Sequence, residues 1–313
     1  MTENMIKIGT RGSKLALVQS TLIKEIIEKR HSDVTVDLVV IKTKGDKIID
    51  SPLSKIGGKG LFVKEIEEAL LDKRIDIAVH SIKDVPAKLP EGLCIPFFPE
   101  REDPSDAFLS LKYRNFKDLP QQTRVGTGSL RRSSQLLNIR QDINIIPIRG
   151  NVDTRLKKLE SGELDAIILA TSGLNRMGLA SRIREKLSPE KVIPAVGQGA
   201  LGLEIRENDG LCHDLLGFIN HRKTEIAVKA ERAFLNRLEG GCQVPIGAHG
   251  RIENNQIILE GMVAELDGSR IIRDTQFGQC GDPEQTGKIL AEKLLEAGAD
   301  KILARVYGES RSI

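Results

Sequence analysis

An α/β fold of two lobes, followed by a small α+β domain with an antiparallel sheet, is what this 313-residue sequence predicts. Three observations carry that expectation. Short apolar runs ending in small or polar residues alternate with longer segments of helical period. The alternation stops at a proline-rich stretch and then resumes. In the last third it gives way to apolar runs joined by Asn254-Asn255 and Asp267-Gly268, which are hairpin signals.

Taken in order, Ile6 to Gly9 reads as a strand and Leu15 to Lys29 as the helix after it. Val36 to Ile41, Leu61 to Leu71 and Ile75 to Val79 continue as strand, helix, strand. Pro90 to Pro104 holds four prolines and reads as a connector, because proline cannot serve an interior strand. The rhythm returns in Arg124 to Gly128, Leu130 to Ile139, Ile143 to Ile148, Val152 to Leu159 and Ala166 to Ala170. Ala200 to Ile205, a strand after the turn Pro194 to Gly199, can bring the chain back to the first lobe, and such return crossings make hinged clefts. A helix from about Thr224 to Leu238 leads into Ile246 to Ile252, Gln256 to Ala264 and Ile271 to Phe277, and a last amphipathic helix runs from Pro283 to Ala297. The expected division is 1–99 with 200–217, then 104–194, then 222–313.

Bulk composition excludes several classes. The net charge of +3 is too small to hold a polyanion through bulk field, and ten aromatics without Trp leave few stacking platforms, so nucleic-acid binding is not expected. Cys94, Cys212, Cys242 and Cys280 form no CxxC pair, against both a structural zinc site and a disulfide framework. No apolar run approaches membrane-spanning length and no signal-peptide pattern precedes Met5-Ile6-Lys7-Ile8, so a cytoplasmic protein without membrane partners is expected.

Charge is local instead. Between Arg124 and Arg155 stand six arginines (Arg124, Arg131, Arg132, Arg140, Arg149, Arg155) against two acids, with no Lys or Glu. Guanidinium forks suit carboxylates and phosphates, and several of these lie where strands end and helices begin, where backbone N–H groups also point outward. Gly9-Thr10-Arg11-Gly12-Ser13-Lys14 reads equally as an anion pocket or a plain helix cap. Lys55 to Gly60 lacks the Walker spacing and reads as a lysine-bearing lid or a flexible loop. Gly126-Thr127-Gly128-Ser129-Leu130-Arg131 has two of the three dinucleotide glycines, which argues against a nucleotide. In Val79-His80-Ser81-Ile82-Lys83-Asp84-Val85-Pro86, Asp84 leaves a buried-looking strand among cations and can steady a positive charge or exchange a proton, with a helix-capping role as the alternative. His80 reads as structural, Cys212-His213 as a surface pair, and Cys242 as either an inert buried thiol or a nucleophile on the loop Gly240 to Pro245.

Seven segments, in order, resemble the porphobilinogen deaminase (hydroxymethylbilane synthase) family: Gly9 to Ala16, Lys55 to Phe62, Val79 to Pro86, Gly126 to Arg132, Ile148 to Arg155, Pro194 to Leu201, and Glu231 to Leu235 leading into Gly240-Gly241-Cys242. The resemblance covers nearly the whole chain. It implies two hinged lobes like those of type II periplasmic binding proteins, plus a third domain presenting the cysteine. It also implies a cytosolic, monomeric transferase of tetrapyrrole and heme biosynthesis. Such an enzyme joins four porphobilinogens head to tail, releasing ammonia at each step, and hydrolyses off the linear tetrapyrrole hydroxymethylbilane, which passes to uroporphyrinogen III synthase.

The family's primer is a dipyrromethane cofactor held by a thioether, which by resemblance would sit on Cys242, and Asp84 would be the catalytic carboxylate. Ser13, Ser81, Lys83, Thr127, Ser129, Arg131, Arg132 and Arg155, with Asp84, would bind the primer. Arg11, Gln19, Arg149, Arg155, Arg176 and Gln198 would hold substrate. Lys55, Lys59 and Phe62 would belong to the lid, with Asp46 a weaker candidate. No metal or nucleotide is implied. A non-catalytic anion receptor and a phosphoryl-transfer enzyme are the rival readings.

Overall fold

The structure, a computed structural model, describes residues 4–47, 60, 63–239 and 244–311. They divide into two compact units. The first holds residues 4–47, 60, 63–101 and 200–225, and the second holds 102–199, 226–239 and 244–311.

The first unit is built on a five-stranded mixed sheet of β1 (Asn4–Thr10), β2 (Val34–Val40), β3 (Ile77–Ser81), β4 (Leu93–Phe97) and β10 (Leu201–Arg206), in the order β2-β1-β3-β10-β4. β1, β2 and β3 are parallel, and β10 inserts antiparallel beside β3 with Leu201 opposite Ser81. Period-two alternation splits the core between the faces. Ile77, Val79, Leu201, Leu203 and Ile205 pack with Ile23 and Ile27 of α1 (Lys14–Arg30). Ala78 packs on the other face with Ile66, Ala69 and Leu70 of α2 (Lys64–Leu71).

Here the structure corrects the reading of Pro90 to Pro104 as a bare connector. Pro96 lies inside β4, which is an edge strand, and the pairing with β10 shifts register between Leu203 and Ile205. An edge strand with an irregular ladder tolerates the missing proline donor. Cys212 is also corrected: it is in the core, 1% exposed, and burial followed by Asp209 pushes its thiol up to about 12.

The second unit holds two sheets. One has the order β7-β6-β8-β5-β9, from β5 (Asp106–Ser110), β6 (Arg124–Gly126), β7 (Asn144–Ile146), β8 (Ala166–Ala170) and β9 (Glu185–Leu187). β6, β7 and β8 are parallel, and β5 is antiparallel, which puts Asp106 opposite Ala170. Phe108, Ala166 and Ile168 face Leu136 of α3 (Leu130–Ile139). Leu109, Ile167 and Leu169 face Leu156 and Leu159 of α4 (Val152–Glu160) and Leu174 of α5 (Thr171–Arg176).

The other sheet is the antiparallel meander β11 (Ile246–Glu253), β12 (Gln256–Ala264) and β13 (Ile271–Gln279). Its first turn is the expected Asn254-Asn255, both left-handed with φ of 48° and 59°. Its core joins Phe234 to Leu290, Ile302 and Val306 from helices on either side of the meander in sequence. The terminal helix Asp300–Arg311 has no counterpart in the sequence expectation.

Candidate functional site

In sheets with parallel strands, ligands meet the carboxyl edge, where loops and helix starts converge. Both larger sheets place their predicted residues at that edge. In the first unit, β1 runs out at Thr10 into half-buried Arg11 and then Ser13, whose Oγ accepts the Ala16 amide at 3.3 Å and caps α1. Gln19 is 4% exposed. Its Nε2 donates to Ser81 Oγ at 3.0 Å, and Ser81 Oγ donates to its Oε1 at 3.2 Å, so the two side chains brace each other.

Beyond Ser81 the chain makes the 3-10 turn Ile82–Asp84. Ile82 N donates to Ala200 O at 3.1 Å and Val85 N closes the turn on Ile82 O at 3.1 Å, leaving Lys83 and Asp84 half-buried. Ile82, 1% exposed, fits there because residue 202 is glycine. A Cβ on Gly202 would stand 2.3 Å from Ile82 Cδ1 and 2.8 Å from Ile95 Cγ2. Gly202→Ala is therefore expected to cost roughly 1–3 kcal/mol of stability by overpacking. Turnover should fall with it, because Ile82 and Asp84 share one turn; parallel melting and rate measurements check this, and wild-type values in both would show that the turn absorbs a methyl group.

In the second unit, β6 is followed by Thr127 and Ser129. Thr127 Oγ1 accepts the Ser129 amide at 3.2 Å, and Ser129 Oγ caps α3 by accepting the Arg132 amide at 3.4 Å. Arg131 and Arg132 then turn inward, 4% and 6% exposed, onto Asp106, which is 0% exposed. Arg131 Nη2 donates to Asp106 Oδ2 at 2.8 Å, and Arg132 Nε donates to Oδ1 at 2.9 Å. Gln198, 1% exposed, donates from Nε2 to Asp106 Oδ1 at 2.9 Å and accepts from Arg132 Nη2 at 3.3 Å.

Burial alone would raise the Asp106 carboxyl, but the Arg131 and Arg132 guanidiniums overcome it and hold it well below the usual carboxylate range. Burial pulls the Arg131 guanidinium down, against the pull of Asp106. Two cations on one anion leave this buried knot one positive charge in excess, and Arg131 Nε is buried with no hydrogen-bond partner.

The arginine excess thus has two causes, and the reading of the whole cluster as ligand-directed is corrected. Arg124 clasps Asp165, with Nε to Oδ2 at 3.0 Å and Nη2 to Oδ1 at 3.2 Å. Arg140 clasps Asp142 at 2.6 and 2.7 Å. Arg149 differs: half-buried just past β7, it has Nη2 buried with no hydrogen-bond partner, and burial lowers its guanidinium from the ordinary value. Arg155 Nε donates to the carbonyl of Gly150, whose φ of 101° favours glycine and where a Cβ would stand 2.9 Å from Thr154 Cβ. Arg176 donates to Gly199 O at 2.7 Å, and burial pulls its guanidinium down while Glu102 partly offsets this.

Lys55, Lys59, Phe62 and Cys242 lie outside the described residues, as does the side chain of Asp46. Asp106, the buried partner of Arg131 and Arg132, is the residue at this edge that sequence reasoning missed. Its one signal is a carboxylate opening an apolar strand, Asp106 to Ser110. Among the described residues no cluster of His, Cys, Asp and Glu could hold a metal ion, and no helix is long and apolar enough to cross a membrane.

Two family descriptions match the chain: "Porphobilinogen deaminase, dipyromethane cofactor binding domain" over residues 6–214, and "Porphobilinogen deaminase, C-terminal domain" over residues 225–296. The chain belongs to the porphobilinogen deaminase family. A porphobilinogen deaminase from Nitratidesulfovibrio vulgaris (strain DSM 19637 / Miyazaki F) is 53% identical over 311 residues, 98% of each chain. One from Geobacter metallireducens is 53% identical over 307 residues, covering 98% of this chain and 96% of its own. Among solved structures, an ABC transporter periplasmic substrate-binding protein from Coxiella burnetii covers 69% of this chain and 92% of its own at 14% identity and a TM-score of 0.44. The orphaned Nη2 of Arg149 and the excess positive charge beside Asp106 suit a porphobilinogen deaminase, since they call for carboxylates, and a dipyrromethane carries several.

Proposed function

We propose that this chain condenses four porphobilinogen molecules head to tail into hydroxymethylbilane with release of ammonia, primed by a dipyrromethane held through a thioether at Cys242. The observation that carries the reading is the half-buried Asp84 on a turn fixed to the carboxyl edge of the first sheet. When bound, the dipyrromethane supplies the free pyrrole position at which the product chain grows.

The remaining work falls to side chains of this sequence. Asp84 accepts a pyrrole N–H and steadies the positive charge that develops as ammonia leaves porphobilinogen. One oriented partner of this kind supplies about 3–4 kcal/mol. Ser13, Ser81, Lys83, Thr127, Ser129, Arg131, Arg132 and Arg155 are assigned to the primer's arms. Arg11, Gln19, Arg149, Arg176 and Gln198 hold substrate carboxylates, with Arg155 shared. Gln19, Gln198 and Asp106 act in part by orienting their neighbours, through the bonds described above. Lys55, Lys59 and Phe62 are assigned to a lid. The reading includes a division into 1–99 with 200–217, 104–194 and 222–313, supported by a separate core at each sheet. It extends to a cytoplasmic monomer whose product goes to uroporphyrinogen III synthase.

Intact mass and porphobilinogen consumption test the proposal together. An adduct of two condensed pyrroles on active protein is expected, and an active protein of unmodified mass would overturn the tethered primer. Arg149→His should slow ring addition by roughly one to two orders of magnitude, since a guanidinium-carboxylate pair is worth ~1.5–3 kcal/mol. A variant with a lowered melting temperature and an unchanged rate would recast Arg149 as structural.

A further inference from the structure

Between them α2 and the first sheet bury three ionisable side chains that the chemistry above does not use. His80 on β3 stands opposite Gly202 and Ala78 opposite Glu204, so His80 and Glu204 are diagonal neighbours on one face. His80 Nε2 lies 2.8 Å from Glu204 Oε2, with His80 5% and Glu204 0% exposed. Glu67 of α2, 7% exposed, feels both of them. Glu67 Oε1 and Glu204 Oε1 are both buried with no hydrogen-bond partner, a costly state for ionised oxygens.

The strands packed against α2 are β1, β3, β4 and β10. Besides His80 and Glu204 they bring the Cys94 thiol of β4, raised by burial, Glu207 and Glu204, while the one charged side chain of β1, Lys7, is exposed. α2 itself adds Glu65, whose Oε1 accepts the Lys44 amide and whose Oε2 is buried without a partner, and Glu68, which lies 4.0 Å from Lys64. β10 ends in Arg206, whose Nη1 donates to the Leu70 and Ile75 carbonyls at 3.0 and 2.7 Å and whose Nη2 pairs with Asp76 and Asp209, so the guanidinium is engaged at the far end of α2 and His80 is the basic side chain of these strands that contacts Glu204.

We propose that Glu67, His80 and Glu204 form a buried ionisable cluster that positions the turn bearing Asp84. The proposal rests on the functional reading only in taking Asp84 as the group whose placement matters. His80 immediately precedes Ser81, and the turn Ile82–Asp84 follows it without a break. Ionising Glu67 sets a second carboxylate beside Glu204, where Glu67 Oε1 and Glu204 Oε1 already lack hydrogen-bond partners. Relief comes from His80 leaving Glu204 or from α2 lifting, and the first of these moves the backbone that carries Asp84.

Burial, then the Glu204 carboxylate, pushes the Glu67 carboxyl up to about 7 from an ordinary 4.5, with His80 pulling the other way. A raised carboxyl binds its proton more tightly in the folded state. Its contribution to stability is therefore full below about pH 4.5 and is lost as pH rises to about 7.

Glu67→Gln keeps the shape of the protonated carboxyl and removes its titration. Amide exchange across Ile77–Val85 in wild type and Glu67→Gln, compared at equal pH, reads positioning without turnover. Faster exchange in the wild type above about pH 7, and matching exchange near pH 6, are expected. The kcat for porphobilinogen should match near pH 6 and favour Glu67→Gln by about 3–10-fold near pH 8.5, with KM unchanged. Identical exchange at every pH, or superimposable kcat profiles in two active proteins, would overturn the proposal. Exchange that differs as expected in proteins that consume no porphobilinogen would support the positioning cluster and remove the function assigned above.

Discussion

Asp84→Asn is expected to leave a folded protein that consumes porphobilinogen roughly a hundred- to a thousandfold more slowly than wild type. The amide has almost the volume of the carboxylate, and the turn that carries it is held by backbone bonds to Ala200 and Ile82 and by the buried Ile82 and Val85. Little therefore changes except charge. A developing cation on the pyrrole loses about 3–4 kcal/mol when its anion becomes a neutral dipole, and ground-state binding through the arginines is untouched. The signature is a kcat effect with KM and melting temperature near wild type. Turnover within a few-fold of normal would remove Asp84 from the chemistry.

The second large effect is expected at Cys242. Cys242→Ser should yield a protein without the pyrrole adduct, seen by intact mass, and with turnover reduced about a thousandfold or more, because a hydroxyl is a far weaker nucleophile than a thiolate. Activity without a bound adduct would show that chain growth needs no anchor. Cys94, Cys212 and Cys280 are not substitutes. All three are free thiols, and Cys212 is a core residue. An adduct retained in Cys242→Ser would place the anchor elsewhere and sink the assignment.

Strands and helices of strong period were legible from residue types. Leu130–Ile139 and Ala166–Ala170 fall where apolar spacing puts them, and the Asn254-Asn255 turn is left-handed as its residues demand. Leu93–Phe97 was hidden because its proline denotes an edge only once the neighbouring strand is known. Glu185–Leu187 was hidden because three residues show no period. At the candidate site, glycine turns and hydroxyls located the strand ends, but charge counted along the chain misjudged the arginines. Two of their carboxylate partners, Asp106 and Asp165, lie outside the counted window and come to it through β5 and the β8 entry. Pairing across a sheet cannot be read from neighbours in sequence.

The irregular border at Pro96 has a colloidal consequence. A flat outer strand offers unpaired amides to any passing chain, and natural sheets suppress this with proline, bulges or very short margins. β4 combines a missing donor with a register slip, and β7 and β9 are three residues long. Three of the four margins of the larger sheets are thus poor templates for intermolecular ladders, which favours solubility while the chain is still being assembled and its sheets are incompletely covered.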